Sequence, residues 1–200
     1  MVSDKYKFNE KSADAGAIPL KMEEFGVFAG LSQANSRILS LLTEEMIGMA
    51  RSIIPEFSAE IQSQNEKNCF EIIMSLNALI KSGERDKLLK VSGGENAAAG
   101  KGLLGKIGET FINWAIEQND NPSVPMMTSP ELGMGMGIVN GYEEWSMKTY
   151  LDSMSKDDKS ENLHDDGLER SIIMNLADDC KMSVKSGSVV MTVTKEFNKD

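Results

Sequence analysis

Apolar residues recur at three- and four-residue spacing through NSRILSLLTEEMIGMARSII, residues 35–54. Ile38, Leu41, Leu42, Met46, Met49 and Ile53 would therefore fall along one side of a helix. Asn35 or Ser36 can cap its start, and Pro55 closes it. The period then changes to two. EFSAEIQS and NCFEIIMSL alternate as strands, and the polar QNEKN between them predicts a hairpin turn. NALIKSGERDKLLKVSGGENAAAGKG, rich in Gly, Ala and charge, reads as a crossover containing one short helix. The helical spacing returns from Gly102 to about Gln118, through Leu103 or Leu104, Ile107, Phe111 and Ala115. NDNPSVPMMTSPELGMGMGIVNG contains three of the 5 prolines and reads as a loop. A short helix is expected from Glu143 to Met154, then a charged run to Gly167, and LERSIIMNLADD reads as a further helix. CKMSVKSGSVVMTVTKEF gives two alternating runs around Lys185, Ser186 and Gly187, a hairpin signal. Residues 1–30 are mixed; within them IPLKMEEFGVFAG packs as an edge strand or as a short helix.

The order of elements is helix, two strands, loop, helix, excursion, helix, two strands. It predicts an α+β fold: a two-layer sandwich with a mixed β-sheet and helices on one face. A chain of 200 residues suits a single domain over 1–200 with its own core. That core should be aliphatic, because aromatics are only 6% of the chain, with the 14 methionines filling irregular gaps.

Charge narrows the partners. A formal net charge of -10, with 21 Lys and Arg scattered along the chain, argues against nucleic acid and against anionic membrane surfaces. The opening MVSDKYKFNEKSADAG has no apolar core for a signal peptide and no run approaches a membrane span, so a cytoplasmic protein is expected. Cys69 and Cys180 give neither a disulfide framework nor a metal-ligand spacing and read as core thiols. His164 is the sole histidine and lies in the polar run KDDKSENLHDDG, which leaves no histidine for a metal site or a catalytic triad in the core.

The stretch SGGENAAAGKGLLGKIGETF, residues 92–111, matches G-x-G-x-x-G at Gly100, Gly102 and Gly105, and Gly100-Lys101 matches the end of a Walker A loop. Neither context follows. No apolar strand enters the turn, Glu95 stands where Walker A needs its first glycine, and Gly102 replaces the metal-binding Ser or Thr. What remains is a flexible run into a helix N-terminus, suited to an anion, with Lys101 beside it. The long helix adds carboxylates. At roughly 100° per residue Glu45 falls within the apolar stripe near Leu41 and Met49, with Glu44 at its margin beside Gly48. The adjacent Glu44 and Glu45 point about 100° apart, so they do not form a convergent acid/base pair.

LLTEEMIGMA, followed by two strands, a lid, a Gly-rich helix start and a terminal hairpin, resembles the GHKL ATPase fold of sensor histidine kinases and anti-sigma-factor kinases. The resemblance spans most of residues 36–111 and the terminal hairpin, and it implies a Bergerat-like sandwich. It also implies ATP or ADP as ligand, serine-kinase-like chemistry and a regulatory protein partner, with homodimers common among such proteins. The general-base glutamate of the family matches Glu44, with Glu45 one position along. Its magnesium-binding asparagine falls on Gly48, or on Met49 in the other register, so the magnesium ligand is missing. Asn77 stands where an aspartate would hold adenine, and Leu79 and Lys81 replace the glycines that follow. Gly100, Lys101, Gly102 and Gly105 match the phosphate-wrapping segment, with a lid at about 81–100 and an insertion at about 119–165. Two functions follow: an ATP-binding regulator of anti-sigma type, or a non-enzymatic interaction module that has lost nucleotide binding and offers PMMTSPELGMGMG to its partner.

Overall fold

A computed structural model describes residues 1–53, 56–78, 136–139, 142–149, 172–185 and 188–198. The sheet is built from β1 (Tyr6–Asn9), β2 (Phe57–Glu66), β3 (Cys69–Ala78), β4 (Met136–Val139), β5 (Tyr142–Ser146), β6 (Asp179–Lys185) and β7 (Ser188–Glu196). The helices are α1 (Ile18–Phe28), α2 (Gln33–Ile53) and the short α3 (Ile172–Leu176). The seven strands lie in the order β1-β2-β3-β7-β6-β5-β4.

The α+β class is as expected, but the sheet is not mixed. Every pairing between these strands is antiparallel. The hairpins β2-β3, β4-β5 and β6-β7 reverse direction by construction, and β7 joins β3 in the same sense.

Alternation separates two faces. Phe57, Ala59 and Ile61 of β2, Phe70, Ile72, Met74 and Leu76 of β3, and Val189, Met191 and Val193 of β7 are buried in one core with the helices. Fully burying a side chain of this size contributes about 1.5–3 kcal/mol. The alternate positions, among them Ser58, Glu60, Gln62, Ser75 and Asn77, form the second face and are half-buried or exposed.

IPLKMEEFGVFAG takes the helical of its two readings. Ile18, Met22, Phe25 and Gly26 recur at helical spacing and are buried, and Pro19 occupies the first turn, where its missing N–H costs nothing. The helix stops because Gly30, at φ 95, adopts the left-handed conformation. Its N–H donates to the Val27 carbonyl at 3.0 Å and the Leu31 N–H to the Gly26 carbonyl at 3.0 Å, satisfying orphan carbonyls of the last turn. The α2 cap is neither Asn35 nor Ser36 but Ser32, whose Oγ accepts the Asn35 N–H at 3.3 Å. Ser36 lies one turn inside, buried against α1, and its hydroxyl donates to the Ser32 carbonyl at 3.0 Å.

Three local expectations give way. The β2-β3 hairpin is tighter than QNEKN suggested, because pairing continues to Glu66 and Cys69, with Lys67 at φ 59 in the turn. Glu143 to Ser146 is not the start of a helix. Tyr142–Ser146 is strand β5, paired to β4 and β6, and the helical conformation begins at Met147. The Met-Gly segment correspondingly supplies β4 at the sheet edge, so the described part of residues 119–165 extends the sheet. LERSIIMNLADD ends its helix at Leu176. Asp179 opens β6, where its Oδ1 accepts the Lys148 N–H at 3.1 Å and its carboxylate accepts the Ser146 hydroxyl at 3.1 Å. The lid at 81–100 and the helix expected from Gly102 to Gln118 lie outside the described residues.

Candidate functional site

The core side of α2 carries Leu39, Leu42, Thr43, Met46, Ile47, Met49 and Ala50, all buried. That side is turned from the stripe drawn on the sequence. Leu41 is 41% exposed, and Glu44 and Gly48, three and seven residues further on, are exposed with it on the solvent side. Glu45 is half-buried at the margin, so it does not lie within an apolar stripe. A Cβ added at Gly48 would meet nothing within 4 Å. Gly48→Ala is therefore expected to raise stability by up to about 1 kcal/mol through helix propensity alone, read as a rise in the thermal midpoint. A fall would mean that this position needs bare backbone.

Asn77 lies elsewhere. Leu76 points into the core, so Asn77 projects from the second face of the sheet, away from α2. Its Oδ1 accepts a hydrogen bond from the Ser188 hydroxyl of β7. Glu44 and Gly48 share one helix surface, but the sheet separates them from Asn77. Gly100, Lys101, Gly102 and Gly105 lie outside the described residues.

Around Asn77 the second face forms a cleft of about 530 Å³, with Lys7, Asn9, Ser12, Ser58, Glu60, Ser75 and Asn77 as its polar lining beside Phe8 and Ala59. Register builds it in two rows. Asn9 pairs with Ser58 and Ser58 with Asn77; Lys7 pairs with Glu60 and Glu60 with Ser75. Lys5 Nζ lies 2.8 Å from Glu60 Oε1 and Lys7 Nζ 3.8 Å from Oε2. The Lys5 hydrogen bond, ahead of the lysine charges, holds the Glu60 carboxyl below its ordinary value. Beyond Asn77 this cleft is not legible in the sequence, because β1 is a four-residue strand with one buried apolar side chain, Phe8.

The cysteines are free thiols. Burial pushes Cys180 up to about 12, which keeps it protonated and inert at neutral pH. Cys69 is half-buried, and its value is raised by burial first and then by the nearby Glu71 and Glu196 carboxylates. Among the described residues no three His, Cys, Asp or Glu side chains gather as a metal site, and no helix is long and apolar enough to cross a membrane. His164 lies outside them. No protein-family model, curated protein or solved structure matches the chain.

Proposed function

We propose that this chain is a non-enzymatic, regulatory protein-interaction module built on a two-layer sandwich of GHKL type. The observation that carries this reading is the separation just described. A general base at Glu44 must reach the nucleophile beside a bound phosphate, within about 2.6–3.2 Å or through one water. Glu44 faces solvent from the helical layer, whereas Asn77, the adenine-side position, lies on the far face of the sheet. Gly48 also offers no ligand for magnesium, and phosphoryl transfer relies on that charge. Large apolar side chains on the solvent side of α1 suit a module that works by contact: Phe28 is 77% exposed, Leu20 60% and Val27 53%.

A second reading, an ATP-binding regulator, draws on the strand order. The hairpin β2-β3 after the long helix, flanked by the C-terminal hairpin through β7, is the order that the resemblance implies. A thermal-shift titration with ATP and ADP, with and without magnesium, separates the two, because a ligand that binds only the folded state raises its stability. The interaction-module reading expects no shift at millimolar nucleotide that depends on Gly102. A shift removed by Gly102→Val favours the second.

A further inference from the structure

The cleft on the second face has an unbalanced hydrogen-bond inventory. Asn9 Oδ1 accepts the Lys11 N–H at 2.9 Å and the Ser12 hydroxyl at 3.0 Å, and Asn77 Oδ1 accepts the Ser188 hydroxyl. Glu60 is matched by Lys5 and Lys7. The amide and carboxylate acceptors of the lining are thus engaged from within the protein. Most of its donors are not. The amide NH₂ groups of Asn9 and Asn77 and the hydroxyls of Ser58 and Ser75 have no hydrogen-bond partner among the described residues, and the Lys7 side chain is 81% exposed and only loosely held. Directly paired side chains on one sheet face stand about 4.5–5.5 Å apart, and the next row about 7 Å away. Asn9, Ser58 and Asn77 in one row, and Lys7 and Ser75 in the other, therefore converge on a space of small-molecule size. Two lysines against one glutamate leave this patch locally positive on a chain whose net charge is -10.

We propose that the cleft binds a small oxyanion compound, a carboxylate or a phosphate, with the Asn9 and Asn77 amides and the Ser58 and Ser75 hydroxyls as donors and Lys7 as the counter-charge. Charge-assisted hydrogen bonds of this kind are stronger than neutral ones. The inference is independent of partner docking on the helical layer, since it concerns the opposite face.

The test is a backbone-amide NMR titration of the full chain with citrate and, separately, with inorganic phosphate, at constant ionic strength. Saturable shifts at Lys7, Ser58, Ser75 and Asn77 are expected. Saturation by citrate alone assigns a carboxylate ligand, by phosphate alone a phosphate ligand, and by both a general oxyanion site. Lys7→Gln, an exposed change that leaves folding intact, should weaken binding roughly tenfold, about one charge-assisted hydrogen bond. Glu60→Gln should strengthen it by removing the repelling carboxylate. No saturable shift with either anion, or equal affinity in wild type, Lys7→Gln and Asn77→Ala, overturns the assignment.

Discussion

Replacing Phe70 by alanine should lower the stability of the domain by about 3–5 kcal/mol, a large share of the roughly 5–15 kcal/mol that holds a typical domain together. Phe70 is 1% exposed on the core face of β3. Its ring meets that of Phe25 on α1 edge-on at 6.2 Å and that of Phe197, just beyond β7, at 5.5 Å. One side chain thus ties the helical hairpin, the middle of the sheet and the C-terminal segment together. Truncation loses the transfer energy of the ring, leaves a cavity and removes two aromatic contacts, each worth about 0.5–1.5 kcal/mol beyond area. Phe28→Ala is the control. That ring is 77% exposed, so the change should stay within about 0.5 kcal/mol in the same urea unfolding experiment.

Gly26→Ala should destabilise by about 1–3 kcal/mol even though alanine is the better helix former by about 1 kcal/mol. A Cβ at Gly26 would come within 2.9 Å of Ser36 Oγ, 3.1 Å of Ser36 Cβ and 3.1 Å of Leu39 Cδ1 on α2. The Ser36 hydroxyl is held by the Ser32 carbonyl and its Cβ is fixed to the backbone, so relief requires the helices to move apart. The same substitution thus has opposite signs at Gly26 and Gly48, because the first glycine is where two helices touch and the second faces open solvent. Adding Ser36→Ala should recover part of the loss, since the contact with Oγ disappears while that with Cβ stays. Thermal unfolding of the single and double variants gives both values.

The elements with the strongest periodicity were legible in the sequence, and so was the class. α2, the β2-β3 hairpin and the β6-β7 hairpin lie where the spacing of apolar residues puts them. What pairing decides was not legible. YKFN is too short to carry an alternation, yet Phe8 finds the core because β1 pairs along β2 from Tyr6 to Asn9. Glu143–Ser146 reads as the start of a helix and instead lies in strand β5, because β4 and β6 flank it. The rotation of α2 shows how little separates two readings of one helix. A stripe through Leu41 and Met49 differs by about one residue's turn from the buried one through Leu39, Thr43, Met46 and Ala50. That turn moves Glu44 and Glu45 away from the interior. Asn77 reads from the sequence as the start of the crossover, yet β3 continues to Ala78, and its face follows from the alternation begun at Phe70, which the sequence leaves unreferenced until the core is known.

The most direct measurement is magnesium-dependent ATP turnover by wild type and Glu44→Ala, with nucleotide binding followed on the same samples. The separation of Glu44 from Asn77 predicts no turnover above the buffer rate in either protein. Glu44→Ala should also leave the thermal midpoint nearly unchanged, because Glu44 is exposed on α2. ATP hydrolysis or phosphate transfer by the wild type that needs magnesium and disappears in Glu44→Ala would contradict the account.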